Sequence, residues 1–350
     1  MRKTVFGVMV LLAAACGGGG GGGSPAAAQV GLSEAGFQAY LPELRDQALA
    51  AGVSRATIDR VFPALTFSPR TIELDRGQPG GASGSSAVPP FAPYRARHLG
   101  ATLISRGRDR YRSNLSRLTQ IGQRYGVDPA LLIAIWGKET SYGTVTGDFD
   151  LLNSLASLAY EGRRRDLFRP EFIAALEMLD RGVPRSRLKG SWAGATGHPQ
   201  FLPSVYLLLA VDGDGDGDID IWNSQLDALA SIANYMSKAG WKPNVPWGIP
   251  VNVPAGMSRA GLDTKLIAPR CPRVHERHSR WLTIAEWRRL GIVPQRGVWP
   301  RDEELATLLE PDGPGNTAYL LTTNYRTILD YNCSNFYALT VGILSDEVRR

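Results

Sequence analysis

The chain has 350 residues, of which 43% are hydrophobic and 21% are charged, and its formal net charge is +6. This composition excludes a disordered or fibrous protein, and the length is sufficient to bury one large core or two modest ones. The mild excess of cations is rich in arginine and is not clustered, so it favours an acidic partner only weakly.

The N-terminus has the layout of an export signal. Two cations, Arg2 and Lys3, precede an apolar run that is too short to span a bilayer and that ends at Cys16. A glycine run follows, which cannot pack and is typical of a flexible tether. Although Ala13 stands where leucine is usual, this junction resembles a bacterial lipoprotein cleavage site, which predicts a lipid on Cys16. The alternative is cleavage after Ala28 without a lipid.

A lipid on Cys16 would anchor the protein to the outer membrane, facing the periplasm. Nucleic acid is not an expected partner in that compartment. Cys271 and Cys333 then remain as an even pair in an oxidising environment, which predicts a disulfide between them. Two unrelated buried thiols are the alternative.

Helical periodicity dominates the rest of the chain. The exceptions are a loop rich in Gly, Ser and Pro at residues 77–93, and a proline-rich stretch with short β-prone pieces at residues 241–297. The sequence therefore predicts a mostly α fold. Its expected parts are a signal peptide and tether at 1–28, an N-terminal helical subdomain at 29–120, a catalytic core at 121–240, a small β-containing insertion at 241–312, and the C-terminal part of the core at 313–350.

The segment WGKETSYG contains the strongest candidate for a catalytic group, Glu139. Asp128 and Pro129 favour a helix start, and Ile135 and Trp136 lie four and three residues before Glu139 on the same helix face. A carboxyl group beside apolar and aromatic side chains is desolvated, so its pKa rises, as a general acid requires. An ion-paired glutamate with a structural role is the alternative.

The string SWAGATGHPQFLP, from Ser191 to Pro203, is rich in small residues. Its glycines remove side-chain bulk where a ligand or another backbone comes close. Ser191 and Gln200 supply hydrogen bonds that suit sugar hydroxyl and acetamido groups. Together with Glu139 the string suggests glycan cleavage, and tight packing between helices is the alternative explanation.

The acidic segment VDGDGDGDIDIWN matches the start of a twelve-residue calcium loop. Asp212, Asp214 and Asp216 occupy positions one, three and five, and Asp218 would offer its backbone carbonyl from position seven. Position twelve is asparagine instead of the bidentate glutamate, so affinity falls unless Asp227 completes the shell. These five residues form the predicted structural calcium site, and a solvated acidic turn is the alternative.

Five segments identify a family resemblance: WGKETSYG, SLAYEGRR, SWAGATGHPQFLPS, DALASIANYMSKAGW and YNCSNFYALTVGILSDEV. From Leu74 onward the chain resembles the membrane-bound lytic murein transglycosylase B family, glycoside hydrolase family 103, which has a lysozyme-like core. The resemblance implies cleavage of the β-1,4 bond between N-acetylmuramic acid and N-acetylglucosamine in peptidoglycan. It implies that no water and no cofactor take part, and that 1,6-anhydromuramoyl ends are left.

The resemblance also assigns roles to individual residues. Glu139 matches the family's catalytic acid and base. Matches to family residues that contact or line the path of the substrate are Ser191, Gln200, Arg163, Arg164, Tyr235, Tyr331, Asn332 and Tyr337. We therefore expect a monomeric periplasmic enzyme whose partner is the peptidoglycan glycan strand. A hydrolytic muramidase and a non-catalytic peptidoglycan-binding lipoprotein are the alternatives.

Overall fold

The computed structural model describes residues 32–77, 89–264 and 272–350. The predicted signal, tether and lipid site, including Cys16, lie outside these residues, as does Cys271. The lipid and the disulfide therefore stay predictions.

Helices make up most of the described chain, as the sequence predicts. The α-helices are α1 Glu34–Ala50, α2 Arg55–Val61, α3 Pro69–Arg76, α4 Phe91–His98, α5 Ala101–Ser113, α6 Leu115–Tyr125, α7 Pro129–Thr140, α8 Leu151–Glu161, α9 Arg165–Asp180, α10 Pro203–Leu209, α11 Gln225–Lys238, α12 Pro272–His275, α13 Ile284–Arg289, α14 Thr323–Tyr331 and α15 Asn335–Val348. None of the described helices is long and apolar enough to cross a bilayer.

The strands are short. They are β1 Phe149–Asp150, β2 Lys189–Gly190, β3 Gly248–Asn252, β4 Leu282–Thr283, β5 Val293–Pro294, β6 Leu305–Leu309 and β7 Ala318–Thr322. β1 and β2 form an antiparallel pair, and the other strands form an antiparallel sheet in the order β4-β6-β7-β3-β5. β7 follows residue 312, so this sheet extends past the end of the insertion that the sequence predicts.

The described chain divides into two compact units. The first unit comprises residues 32–77 and 145–209, and the second comprises residues 89–144, 210–264 and 272–350. Each unit therefore combines segments that are distant in the sequence.

The first unit is built around the packed helices α8 and α9. The N-terminal helices attach to this pair through aromatic side chains. The Tyr160 ring on α8 contacts the rings of Phe37 and Phe67 at centroid distances of 5.9 and 5.7 Å, and Phe62 meets Phe172 of α9 edge to face at 5.9 Å. Burial of these large rings gives the N-terminal helices their main attachment.

The second unit surrounds helix α7, which packs against α5, α6, α11 and α15. Every residue of α7 from Ala130 to Gly137 is buried, and Ile135 and Trp136 are fully inaccessible. The sheet of the same unit has its own core, in which Trp287 of α13 packs with Val251 and Leu320. A helix that is apolar on all sides is stable only inside such a unit.

Candidate active site

Helix α7 places Glu139 in its last turn. The Asp128 side chain caps the helix start by accepting a 3.0 Å hydrogen bond from the amide of Ala130. Ser141 and Tyr142 then end the helix, because both adopt left-handed backbone conformations with φ of 51° and 62°. Non-glycine residues rarely adopt this conformation, and it is most common where the surrounding structure enforces it.

The ring of Tyr142 enforces this turn. Its hydroxyl donates a 2.9 Å hydrogen bond to the carbonyl oxygen of Leu103, and its ring meets the buried Trp136 ring edge to face at 5.6 Å. A Cβ atom added at Gly137 would lie 2.5 Å from this ring. The absence of a side chain at Gly137 therefore leaves room for the Tyr142 ring, which fixes the end of α7. The helix ends at Thr140, the residue after Glu139.

Glu139 is half-buried and its acidity is altered by its surroundings. Burial raises the pKa of Glu139 to about 7, although the Tyr337 hydrogen bond and the Lys138 charge both oppose this rise. The Tyr337 hydroxyl, on α15, donates to Oε1 of Glu139 at 2.5 Å. A carboxyl with this pKa carries its proton in a large share of molecules at neutral pH, so it can act as a general acid.

Four predicted groove residues lie with Glu139 in the second unit, namely Tyr235, Tyr331, Asn332 and Tyr337. The three tyrosines interact with Glu139 or with each other. Tyr331 has its pKa raised well above its usual value by burial and then by the Glu139 charge. Its ring contacts the Tyr235 ring edge to face at 4.7 Å. Both rings are buried, with 0% and 2% exposure, so they belong to the interior of the second unit and are not a freely accessible surface.

Asn332 follows Tyr331 at the end of α14 and is 7% exposed. Its Oδ1 atom is buried and has no hydrogen-bond partner among the described residues. A buried amide oxygen without a partner is costly, and a ligand that donates a hydrogen bond would remove that cost.

Ser191 and Gln200 belong to the first unit. The Ser191 hydroxyl accepts from the Ala195 amide at 3.0 Å, and the Gln200 side-chain amide donates to the carbonyl oxygens of Thr146 and Gly197 at 3.1 and 3.0 Å. Both side chains are buried, with 6% and 4% exposure. These hydrogen bonds stabilise the conformation of the small-residue loop, as expected if the loop has a packing role.

Arg163 and Arg164 also belong to the first unit, between α8 and α9. Both guanidinium groups form ion pairs with the buried carboxylate of Asp75 on α3, and Arg163 binds Glu161 at 2.8 Å as well. Arg76 adds a 3.3 Å contact to the same glutamate. The arginine pair therefore joins α3 to the α8–α9 turn, and Arg163 remains half exposed.

The acidic loop brings together Asp212, Asp214 and Asp227, which each offer a carboxylate oxygen within 4.8 Å of the others. Asp216 and Asp218 are not in this cluster. Asp227 lies on α11 and is buried, and burial, followed in smaller part by the Asp214 charge, raises its pKa. Closely spaced carboxylate oxygens are the ligands that Ca²⁺ prefers, so the set fits that ion.

A cavity of about 750 Å³ lies at the start of α7, opposite to Glu139 along the helix. Its lining includes Pro129, Trp241, Trp299 and Arg301 and none of the residues predicted to act on substrate. The candidate active site is therefore defined by the surroundings of Glu139 and not by this cavity.

Comparison with known proteins decides the family. A family model described as a transglycosylase SLT domain matches residues 36–346. Membrane-bound lytic murein transglycosylase B from Escherichia coli (strain K12) is 32% identical over 279 residues, which are 76% of this chain and 71% of that protein. The chain belongs to the lytic murein transglycosylases of this type.

Solved structures of two relatives agree with this assignment. SltB3 from Pseudomonas aeruginosa, in complex with NAG-anhNAM-pentapeptide, is 37% identical with a TM-score of 0.79, and the match covers 89% of this chain and 79% of that one. Escherichia coli Slt35 in complex with calcium is 27% identical with a TM-score of 0.69, covering 88% and 92%. The predicted family, the mostly α lysozyme-like fold and the lytic transglycosylase activity are confirmed.

Two residues of this transglycosylase's site were missed by the sequence analysis. Tyr94 on α4 interacts electrostatically with Glu139, and burial, followed by that charge, raises the pKa of Tyr94 to about 12. Lys138 precedes Glu139 and lies over the Tyr94 ring, with Nζ 5.1 Å from its centroid. The sequence around Tyr94 does not indicate a functional role for it. Lys138 could have been predicted, because it is the residue before Glu139.

Proposed function

We propose that this protein cleaves the bond between N-acetylmuramic acid and N-acetylglucosamine with Glu139 alone, first as acid and then as base. The observation that carries the proposal is the desolvated Glu139 carboxyl, whose pKa of about 7 allows both protonation states near neutral pH. Glycosidases that use water generally need two carboxylates. The groups that act on the Glu139 carboxyl among the described residues are the Tyr337 hydroxyl and the Lys138 ammonium.

The reaction begins when Glu139 gives its proton to the glycosidic oxygen. The bond from that oxygen to C1 of the muramoyl residue breaks, and N-acetylglucosamine leaves with the proton. The muramoyl acetamido group stabilises the positive centre that develops at C1. The Glu139 carboxylate then takes the proton of the C6 hydroxyl group while the oxygen of that hydroxyl bonds to C1. This step closes the 1,6-anhydro ring and restores the carboxylic acid of Glu139.

The remaining predicted residues hold the glycan in this proposal. Tyr337 and Tyr331 interact with Glu139, and Tyr235 packs against Tyr331. The buried Asn332 Oδ1 atom, which has no partner among the described residues, would accept a hydrogen bond from a sugar hydroxyl or acetamido N–H. Solved SltB3 complexes contain NAG-anhNAM-pentapeptide and NAG-NAM-pentapeptide. In the first unit, taken by itself, Ser191, Gln200, Arg163 and Arg164 stay proposed substrate contacts.

Glu139→Gln tests the proposal directly. The glutamine side chain keeps the size and the Tyr337 hydrogen bond but has no carboxylic proton, so release of muropeptides from purified sacculi should fall roughly a hundredfold or more. Glu73→Gln is the control, because Glu73 is an exposed carboxylate on α3. Normal release by folded Glu139→Gln protein would remove Glu139 from the mechanism.

A structural calcium ion on the acidic loop belongs to the same proposal, since the Slt35 structure contains calcium. Asp212, Asp214 and Asp227 would be its carboxylate ligands. The ion would neutralise carboxylates that otherwise repel one another and so stabilise the start of α11. It has no part in the chemistry at Glu139.

We further propose that the protein acts as a monomeric periplasmic lipoprotein of the outer membrane, anchored at Cys16, with a disulfide between Cys271 and Cys333. The membrane-bound Escherichia coli relative supports an envelope location. Mass spectrometry of the protein extracted from membranes tests both modifications. A Cys16→Ser variant should lose the lipid mass, and alkylation of Cys271 and Cys333 should require prior reduction.

A further inference from the structure

Lys138 immediately precedes the catalytic candidate Glu139 in the chain, and its side chain lies over an aromatic ring. It is half-buried in the last turn of α7, and its Nζ atom lies 5.1 Å from the centroid of the Tyr94 ring. That ring in turn packs against Phe336 of α15 at 5.2 Å and against His98 at 4.0 Å. An ammonium over an aromatic face is attracted to it, so this contact holds the Lys138 charge in place.

The charges around Glu139 single out Lys138. The groups that interact electrostatically with Glu139 come from four helices: Tyr94 from α4, Lys138 from α7, Tyr331 from α14 and Tyr337 from α15. Burial keeps the pKa of each of these tyrosines far above neutral pH, so they carry no charge there. From α5, Arg106 donates a 2.9 Å hydrogen bond to the carbonyl oxygen of Ser141. Among the described residues, Lys138 is the cation whose charge lowers the pKa of Glu139.

Lys138 itself is affected by its position. Burial lowers its pKa to about 8, and the Glu139 charge opposes that fall. The neighbouring His98 has its pKa lowered to about 4 by burial and then by the Lys138 and Arg97 charges, so it is neutral at physiological pH. Lys138 therefore remains charged at neutral pH even though it is held in an apolar contact.

We propose that Lys138 is a positioning residue whose ammonium, held over the Tyr94 ring, is the counter-charge for the Glu139 carboxylate formed after proton donation. This inference rests on the proposed function, because a counter-charge matters only if Glu139 alternates between acid and carboxylate.

The physical reason lies in the two tasks of a single glutamate. Burial alone favours the neutral carboxyl, which keeps the acid ready but makes the carboxylate costly once the proton has gone. A nearby opposite charge stabilises the carboxylate, so the proton leaves more readily. Lys138 thus balances the two states of Glu139, and the same group can serve both halves of the reaction.

Three variants separate this role from simple packing. Lys138→Met keeps the apolar stem without the charge, Lys138→Arg keeps a charge that can lie over Tyr94, and Lys238→Met removes an exposed lysine at the end of α11. The measurements are kcat/KM on solubilised glycan strands against pH, and the ¹³C carboxyl titration of Glu139, assigned with Glu139→Gln protein.

The expected result is a shift of the Glu139 titration and of the alkaline limb of the rate profile to higher pH in Lys138→Met, by roughly one unit, with a lower plateau rate. Lys138→Arg and Lys238→Met should both keep the wild-type profile. If Lys138→Met is slow but titrates like the wild type, Lys138 only packs against Tyr94 and the proposal is wrong. Should Lys138→Met not fold, Lys138→Gln serves as the neutral variant.

Failure of this inference is distinguishable from failure of the proposed function. If the wild-type protein releases no anhydro products, the proposed function fails, and the carboxyl titration still reports whether Lys138 acts on Glu139. If the wild type is active and the Glu139 titration is the same in wild type and Lys138→Met, only the inference on Lys138 is overturned.

Discussion

The hydroxyl of Tyr337 donates a 2.5 Å hydrogen bond to Oε1 of Glu139, although the two residues are 198 positions apart. The bond crosses between α15 and α7, which pack against each other in the second unit. A donor aimed at a desolvated carboxyl stabilises its ionised form. The pair therefore couples the position of α15 to the acidity of the proposed catalytic group.

Tyr337→Phe should raise the pKa of Glu139, because the lost hydrogen bond favours the carboxylate. The alkaline limb of the rate profile should move up by roughly one pH unit, since a hydrogen bond to a charged group contributes about 1.5 kcal/mol or more. The measurement is kcat/KM against pH, with Tyr111→Phe on α5 as the matched control. An unchanged limb in a folded, active Tyr337→Phe protein would show that this bond does not set the acidity.

Glu139→Gln should stabilise the fold increasingly as pH rises. The pKa of Glu139 is about 7 in the folded chain and 4.5 is its ordinary value. The glutamate therefore contributes stability that is fully present below 4.5 and is lost as pH rises through about 7. Between pH 4 and pH 8 the variant should gain about 3 kcal/mol over the wild type, judged by urea unfolding at each pH. A difference in the free energy of unfolding that does not change with pH would contradict a raised pKa for Glu139.

The predictability of this site depended on how local its signals are. Asp128, Pro129 and the apolar spacing before Glu139 indicate the helix and its inward face, because capping and periodicity are properties of neighbouring residues. The partner Tyr337 became a candidate only through the family resemblance. Tyr94 remained hidden, because its approach to Lys138 depends on how α4 packs, and packing between distant segments leaves no trace in local periodicity.

In the sheet, too, the local sequence predicts the strands but not the contacts between distant segments. Prolines and β-prone pieces indicate strands after Trp241, yet the order β4-β6-β7-β3-β5 joins strands that are not consecutive. In the acidic loop, the spacing of Asp212 and Asp214 indicates the cluster directly. Asp216, which the loop pattern also selects, lies outside it, and Asp227 enters because α11 brings a later acid back to the loop.

Calcium should raise the melting temperature of the wild type through the acidic loop. Asp227→Asn should abolish most of that rise, because it removes the buried carboxylate of the cluster. Asp218→Asn is the matched control and should keep the rise, since this position would use only its backbone carbonyl. Melting curves in excess calcium and in chelator provide the measurement. Equal curves for the wild type would rule out a stabilising ion.

Gly190→Ala should destabilise the first unit by about 2 kcal/mol or more, because the added Cβ atom would lie 2.0 Å from the carbonyl oxygen of Ala195. The small-residue loop would have to move, so Ser191 would lose its position as well. Gly256→Ala is the control, because its Cβ atom meets nothing within 4 Å. Equal unfolding midpoints in urea for both variants would show that the loop is not closely packed there.

The most direct test of the central claim is mass spectrometry of the soluble products that the protein without its signal and tether releases from purified sacculi. Cleavage without water, in which Glu139 donates a proton and then regains one from the C6 hydroxyl group, predicts muropeptides that are one water lighter than the reducing form. Reducing ends would identify a hydrolytic muramidase and contradict the account, and the absence of any soluble product would favour a non-catalytic peptidoglycan-binding lipoprotein.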